Sequence, residues 1–345
     1  MKWVMNRDRE RSNEKSAPEP PRAEAPDARK LKLLLAGALS VAMVAGAVVI
    51  LRQGDRAKPP LAKTSIPFDL AAGAQAIKPA PDSEGPQTAE ELAQKMSDRV
   101  RAGDQAMSKR DIAAARKEYE AALGIAQRIA ELAPASSPSK GQLAALHIKL
   151  GDAAQVGSDM KAARGFYEKG VELMKAVAES EPKSTATGRD LAVTYNKLGH
   201  ATHAGGDAKG ALGLFEKSVE ITRSLAADEP KNALLKQDLA VGQSTLGSLI
   251  ESTGDLKRAR ELFEGSLKTY KALVKADPKD TGATLGLASA HARVAHLASR
   301  DGDKKAAREH LKAAKKVLDE LERGGQVKDN PGFDNLKAYV KTLGD

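Results

Sequence analysis

The sequence predicts an all-α protein, an α-solenoid of helix-turn-helix repeats plus one N-terminal transmembrane helix. Three observations predict it. Chemically similar residues recur every 48 positions from about residue 88 onward. Only 3% of residues are aromatic while 29% are charged, a composition suited to helices packed through Leu, Val and Ala rather than to a sheet. One stretch, Leu33 to Leu51, carries no charge in 19 residues.

The repeat is visible at many positions in one register. Asp111, Asp159, Asp207, Asp255 and Asp303 are evenly spaced, and so are Ala115, Ala163, Ala211, Ala259 and Ala307. Pro134, Pro182, Pro230 and Pro278 follow the same interval, as do Leu143, Leu191, Leu239 and Leu287. This predicts five units, 88–135, 136–183, 184–231, 232–279 and 280–323. Each unit reads as two helices. Thr88, Ser136, Ser184, Asn232 and Asp280 are of the types that accept the free N–H groups opening a helix, and Glu91 completes a capping box with Thr88. Turns such as Gly206-Asp207, Gly254-Asp255 and Gly302-Asp303 supply a left-handed stop and the cap of the next helix. In the second helix Ala163, Phe166, Tyr167, Gly170, Val171, Met174 and Val177 form one apolar face, and Pro182 ends it. A single pair cannot bury that face, so neighbours must stack into a curved solenoid. Residues 324–345, with Asn330-Pro331, Phe333, Leu336 and Val340, are expected to cap the last interface.

The N-terminal part has no such period. Residues 1–32 read as a disordered, proline-containing tail, and 52–87 as a Pro/Ala-rich spacer. The apolar run between them would span roughly 28 Å as a helix, enough to cross a bilayer. Its length and its long preceding tail favour an anchor over a cleaved signal peptide. The short charged tail is expected to remain cytoplasmic, placing the C-terminal part on the periplasmic side of a plasma (inner) membrane. Ala38, Ala42 and Gly46 have the spacing that would allow close approach of two copies, hence a homodimer, but the favoured reading is an Ala-rich lipid-facing helix.

The pairs Leu150-Gly151, Leu198-Gly199 and Leu246-Gly247 are followed by Ala163, Tyr167 and Gly170, by Ala211, Phe215 and Ser218, and by Ala259, Phe263 and Ser266. This order resembles the core of the tetratricopeptide repeat (TPR) family, in its long-helix bacterial variety. The family unit is shorter by about four helical turns. The family's early Trp is replaced by His147, Tyr195, Gln243 and His291. The resemblance implies a protein-binding scaffold, with first helices lining a concave face.

Catalytic chemistry is not expected. The chain has no cysteine, which excludes disulfides and thiolate sites. It has no nucleotide-binding glycine loop. Gly242-Gln243-Ser244-Thr245-Leu246-Gly247 only approximates a nucleophile elbow and falls within a helix. Asp301 and Asp303 lack the further oxygens of a calcium loop. His200, His203 and Asp207 invite a metal reading, but Asp207 is already explained as a turn aspartate, so no metal and no cofactor are assigned. The net charge of +9 divides into +4 on residues 1–87 and +5 on residues 88–345, mostly beside acidic residues, which argues against nucleic acid as a partner.

The positions matching the family's concave face are Asp152 and Gln155, then Asn196, His200 and His203, then Ser244, Ser248 and Glu251, then His296 and Arg300. They suit a protein or peptide partner, and they suit an ordinary solvated helix surface equally. The histidines suggest binding that changes between about pH 5 and 8. Lys149, Lys197 and Arg293 form a basic row interrupted by Thr245, which some relatives of this type use to grip a carboxylate. His147 and His291 are expected to be packed and hydrogen-bonded. The leading reading is an envelope scaffold or assembly factor; the alternative is a sensor subunit signalling through the membrane.

Overall fold

The computed structural model describes residues 89–132, 137–328 and 330–344. The tail, the Leu33–Leu51 segment, the spacer and the cap candidates Thr88 and Ser136 lie outside the described residues. No helix among the described residues is long and apolar enough to cross a membrane.

Eleven helices run in sequence through the described residues. They are α1 (Ala89–Ser108), α2 (Ile112–Leu132), α3 (Ser137–Val156), α4 (Met160–Ser180), α5 (Thr185–Ala204) and α6 (Ala208–Asp228). Then follow α7 (Ala233–Thr253), α8 (Leu256–Ala276), α9 (Thr281–Arg300), α10 (Lys304–Arg323) and α11 (Pro331–Thr342). Each of α1 to α10 packs on the next in sequence, which makes a stack of antiparallel helix pairs, with no strand among the described residues.

Local chemistry explains the boundaries. The turn aspartates cap the even helices: Asp111 accepts from the Ala114 N–H at 3.0 Å, Asp159 from Ala162 at 3.0 Å, Asp207 from Gly210 at 2.7 Å, Asp255 from Arg258 at 3.1 Å and Asp303 from Ala306 at 3.0 Å. Ser184, Asn232 and Asp280 cap the odd helices α5, α7 and α9. Gly206, Gly254 and Gly302 take positive φ in the turns. In the first two units the same position is held by Arg110 and Ser158, which also adopt positive φ, at 60° and 63°. Turn geometry is therefore common to all five units, and two of them hold it with a side chain that disfavours it.

The core is built on close approach. Ala115, Ala163, Ala211 and Ala259 are fully buried, whereas Ala307, at the end of the row, is half-buried. Within each pair the Leu-Gly glycine faces the aromatic of the next helix. A Cβ at Gly151 would lie 2.5 Å from Cε1 of Tyr167; at Gly199, 2.7 Å from Cε1 of Phe215; at Gly247, 2.8 Å from Cε1 of Phe263. In the fifth unit the aromatic position is Leu311, and the glycine position is Ala295. The smaller partner leaves room for the extra methyl. Helix α11 closes the end, burying Phe333, Leu336, Tyr339 and Val340 with Leu285, Leu318 and Leu321.

The contrast between two glycines tests this packing. Gly151→Ala should lower stability by about 1–3 kcal/mol through overpacking against Tyr167. Gly165→Ala, at an exposed site in α4 with nothing within 4 Å, should raise it by about 0.5–1 kcal/mol. Thermal melts of the two variants that shift in the same direction would show that the helix contact is not the constraint.

Candidate functional site

The odd-numbered helices carry the candidate residues. Helix α7 touches α9 directly as well as through α8, so these helices lie on the inside of the curve there. The inner surface has two chemically different halves.

Over the first units it holds a repeated polar cluster. The Tyr119 hydroxyl donates to Asp104 at 2.6 Å, and Lys149 of the next unit donates to the same carboxylate at 2.7 Å while lying 5.5 Å from the Tyr119 ring centre. One unit on, the Tyr167 hydroxyl donates to Asp152 at 2.7 Å, with Gln155 Oε1 at 2.9 Å. Lys197 pairs with Asp152 and sits 5.9 Å from the Tyr167 ring centre. Burial, then Asp104, pushes the Tyr119 hydroxyl well above the usual tyrosine range, and burial, then the Asp152 charge, does so for Tyr167, so both remain protonated donors. Lys149 and Lys197 are thus neutralised between repeats. The basic row, already interrupted at Thr245, is not free to grip a partner carboxylate: the charges of Lys149 and Lys197 are matched within the fold, and Arg293 is 3% exposed with its guanidinium 5.6 Å from the Tyr339 ring centre. Asp104 was not read from the sequence as part of this cluster. Its signal was present, because Asp104 to Lys149 and Asp152 to Lys197 share one spacing.

In the third unit the cluster loses all its charges together. Phe215 has no hydroxyl to offer, His200 stands in the aspartate position, and Thr245 stands in the lysine position. The His200 ring packs edge-on against Phe215 with centroids 5.0 Å apart. Burial holds its pKa down at about 4, with His203 and Lys197 adding to the effect. His200 is therefore a neutral packing group between pH 5 and 8, and the expected pH-dependent binding does not extend to it. Asn196 and His203 flank it on α5, both half-buried.

The second half is closed. Ser244 and Ser266 share a 2.8 Å hydrogen bond, and the Ser248 hydroxyl donates to the Ser244 carbonyl at 2.9 Å. Glu251 is 5% exposed and accepts from Arg300 Nη1 at 3.2 Å, with His296 Nδ1 at 3.6 Å. Ser244, Ser248 and Glu251 were expected to face a partner; they are interior because α9 lies against α7. His296 stacks edge-on near Tyr339, centroids 6.3 Å apart, and burial lowers its pKa. The residues left accessible are Asp152, Gln155, Asn196, His203 and Arg300, most of them over α3 and α5.

His291 meets the expectation of packing with a hydrogen bond: its Nδ1 lies 3.0 Å from Nδ1 of His310 on α10. Burial, then His310, lowers His291 to about 4. His147 packs near Phe166, but its buried Nδ1 has no hydrogen-bond partner among the described residues. Asp207 serves as the α6 cap.

These histidines set an acid limit on stability. His200 and His291 take up a proton in the unfolded chain near pH 6.5 but in the folded chain only near pH 4. Between those values the unfolded state binds more protons, so stability falls as pH falls. The melting temperature should drop steadily from pH 7 to pH 5, and less steeply in His200→Gln. A melting temperature unchanged over that interval would mean that these rings are solvated.

No family model matches the sequence, and no curated protein matches it. Solved structures do match in fold. The apo form of RapI aligns with a TM-score of 0.51 at 10% identity, over 71% of this chain and 81% of that one. BtubC (BKLC) from P. vanneervenii aligns with a TM-score of 0.47 at 15% identity, over 67% of this chain and 92% of that one. A putative kinesin light chain of Podosopora anserina with nearly identical TPR-like repeats aligns with a TM-score of 0.43 at 14% identity, over 67% and 97%. At 10% identity the alignment with RapI concerns architecture alone: the two chains share a helical-repeat fold.

Proposed function

We propose that this chain is a membrane-anchored scaffold that binds an extended protein or peptide segment on the inner surface of its N-terminal half, in the assembly of cell-envelope complexes. The observation that carries the reading is the division of the inner surface. Over α3 and α5 polar groups stay accessible beside helices whose own charges are matched, whereas over α7 and α9 the surface is filled. Asp152 retains carboxylate capacity beyond Tyr167 and Lys197, and Gln155, Asn196 and His203 add donors and acceptors along one line. Such a strip suits hydrogen bonding to a backbone more than burial of an apolar ligand. Arg300 lies further along the same surface, tied to Glu251. Leu33 to Leu51 supplies the anchor in this reading, and the solenoid lies on the non-cytoplasmic side.

Two measurements check it. Asn196→Ala with His203→Ala should reduce the yield of proteins crosslinked to the full chain, with stability changed by no more than about 0.5 kcal/mol per site. His200 is left in place because it packs on Phe215. A double variant that melts normally and captures the same partners at the same yield would exclude this surface. A reporter fused after Asp345 that is active only outside the cytoplasm should be active; activity of a cytoplasm-only reporter would reverse the orientation.

A further inference from the structure

The last repeat helix departs from the other four in one direction. Helix α10 exposes Lys304, Lys305, Arg308, Lys312, Lys315 and Lys316. At 100° per residue these six lie within about 120° of the helix circumference, along about 18 Å of its axis. Glu309 is the one acidic residue in that interval, so residues 304–316 carry +5, which equals the net charge of all of residues 88–345. Elsewhere in residues 88–345 the charges cancel, while these six cations share one arc of α10, with the acidic Asp319 and Glu322 entering that arc only in the last turn of the helix.

The internal repeats show what an ordinary second helix has at these positions. Lys312 replaces Glu120, Glu168, Glu216 and Glu264. In earlier units that glutamate offsets a neighbouring arginine, as in Arg116–Glu120 at 3.7 Å, Arg164–Glu168 at 2.8 Å and Arg258–Glu216 at 2.6 Å. Lys315 replaces Leu123, Val171, Val219 and Leu267, and Lys304 replaces Ile112, Met160, Ala208 and Leu256. A terminal repeat needs polar residues where its neighbours bury apolar ones, but solubility requires no single sign. Among the described residues only Lys316 of the six pairs with a carboxylate, Glu320 at 3.9 Å.

We infer that this face of α10 docks on the acidic lipid headgroups of a membrane surface. The cations sit on a single exposed helix, and there is no aromatic residue among them for stacking on bases. Five of the six are lysines, point charges that attract an anionic surface without demanding bidentate geometry. No large apolar residue is exposed on α10, so the contact is electrostatic and peripheral. The preference for lipid over another polyanion rests on reading Leu33 to Leu51 as a span, which would keep the solenoid near a bilayer and raise its effective concentration there.

The full chain is free of cysteine, so Arg323→Cys, within the same arc at the end of α10, gives a unique position for a bimane label. Vesicles carry a nitroxide-headgroup lipid in phosphatidylcholine alone or mixed with phosphatidylglycerol. Quenching is expected with the mixed vesicles, to be lost at high salt, and to be weakened on the order of tenfold by Lys304→Glu, Lys305→Glu, Lys312→Glu and Lys316→Glu together. The same number of reversals at exposed Lys161, Lys175, Lys183 and Lys209 should change it by less than about twofold. Equal quenching by phosphatidylcholine alone, equal effects of the two sets of reversals, or a response to polyglutamate or an oligonucleotide but not to the mixed vesicles would each overturn the assignment. Flotation with phosphatidylcholine vesicles reports separately on Leu33 to Leu51, so loss of the anchor and loss of the α10 contact are distinguishable.

Discussion

The fold depends on how closely the two helices of a pair can approach. The missing Cβ at Gly103, Gly151, Gly199 and Gly247 lets Tyr119, Tyr167, Phe215 and Phe263 lie against backbone rather than side chain. The aromatic then reaches the inner surface instead of being held away from it. A tyrosine at this place ends within reach of the aspartate one residue beyond the glycine, and the hydroxyl, the carboxylate and the next unit's lysine follow. Where Leu311 replaces the aromatic, Ala295 replaces the glycine, and the two changes compensate in volume.

The same contact explains why the inner surface is not uniform. Between the first three units, stacking is reinforced by charge: each lysine is matched by an aspartate of the preceding unit and lies over its tyrosine ring. These pairs are part-exposed, so each adds little stability, but each fixes the orientation of one unit on the next. After Phe215 the hydroxyl is gone, and His200 and Thr245 remove the charges with it. Apolar packing and hydroxyl-to-hydroxyl or hydroxyl-to-backbone bonds take over, as at Ser244, Ser248 and Ser266. A buried carboxylate, Glu251, is tolerated because Arg300 reaches it from α9. The result is an open, polar N-terminal half and a filled C-terminal half within one set of repeats. The proposed protein-binding role draws on the first half, and the proposed membrane contact on the outer face at the far end of the second.

What the sequence determined by itself is local and periodic. Helix starts and stops are written in Asp159, Asp207, Asp255, Pro182 and Pro230, because a cap or a stop acts over three or four residues and needs no neighbour in space. The buried face of each second helix was legible for the same reason, as an apolar period. Arg110 and Ser158 show the limit of even this reading, since their turns resemble the glycine turns only once φ is known. Tertiary structure decided which polar positions remain open. Ser244, Ser248 and Glu251 occupy the same helical register as Asn196, His200 and His203, yet their burial depends on α9, which lies some 45 to 49 residues further along and leans onto α7. The cations of α10 share one arc by helical spacing alone, and tertiary structure decided only that they stay exposed there. Exposure is set by what curves over a residue, and that is not a property of its neighbours in the chain.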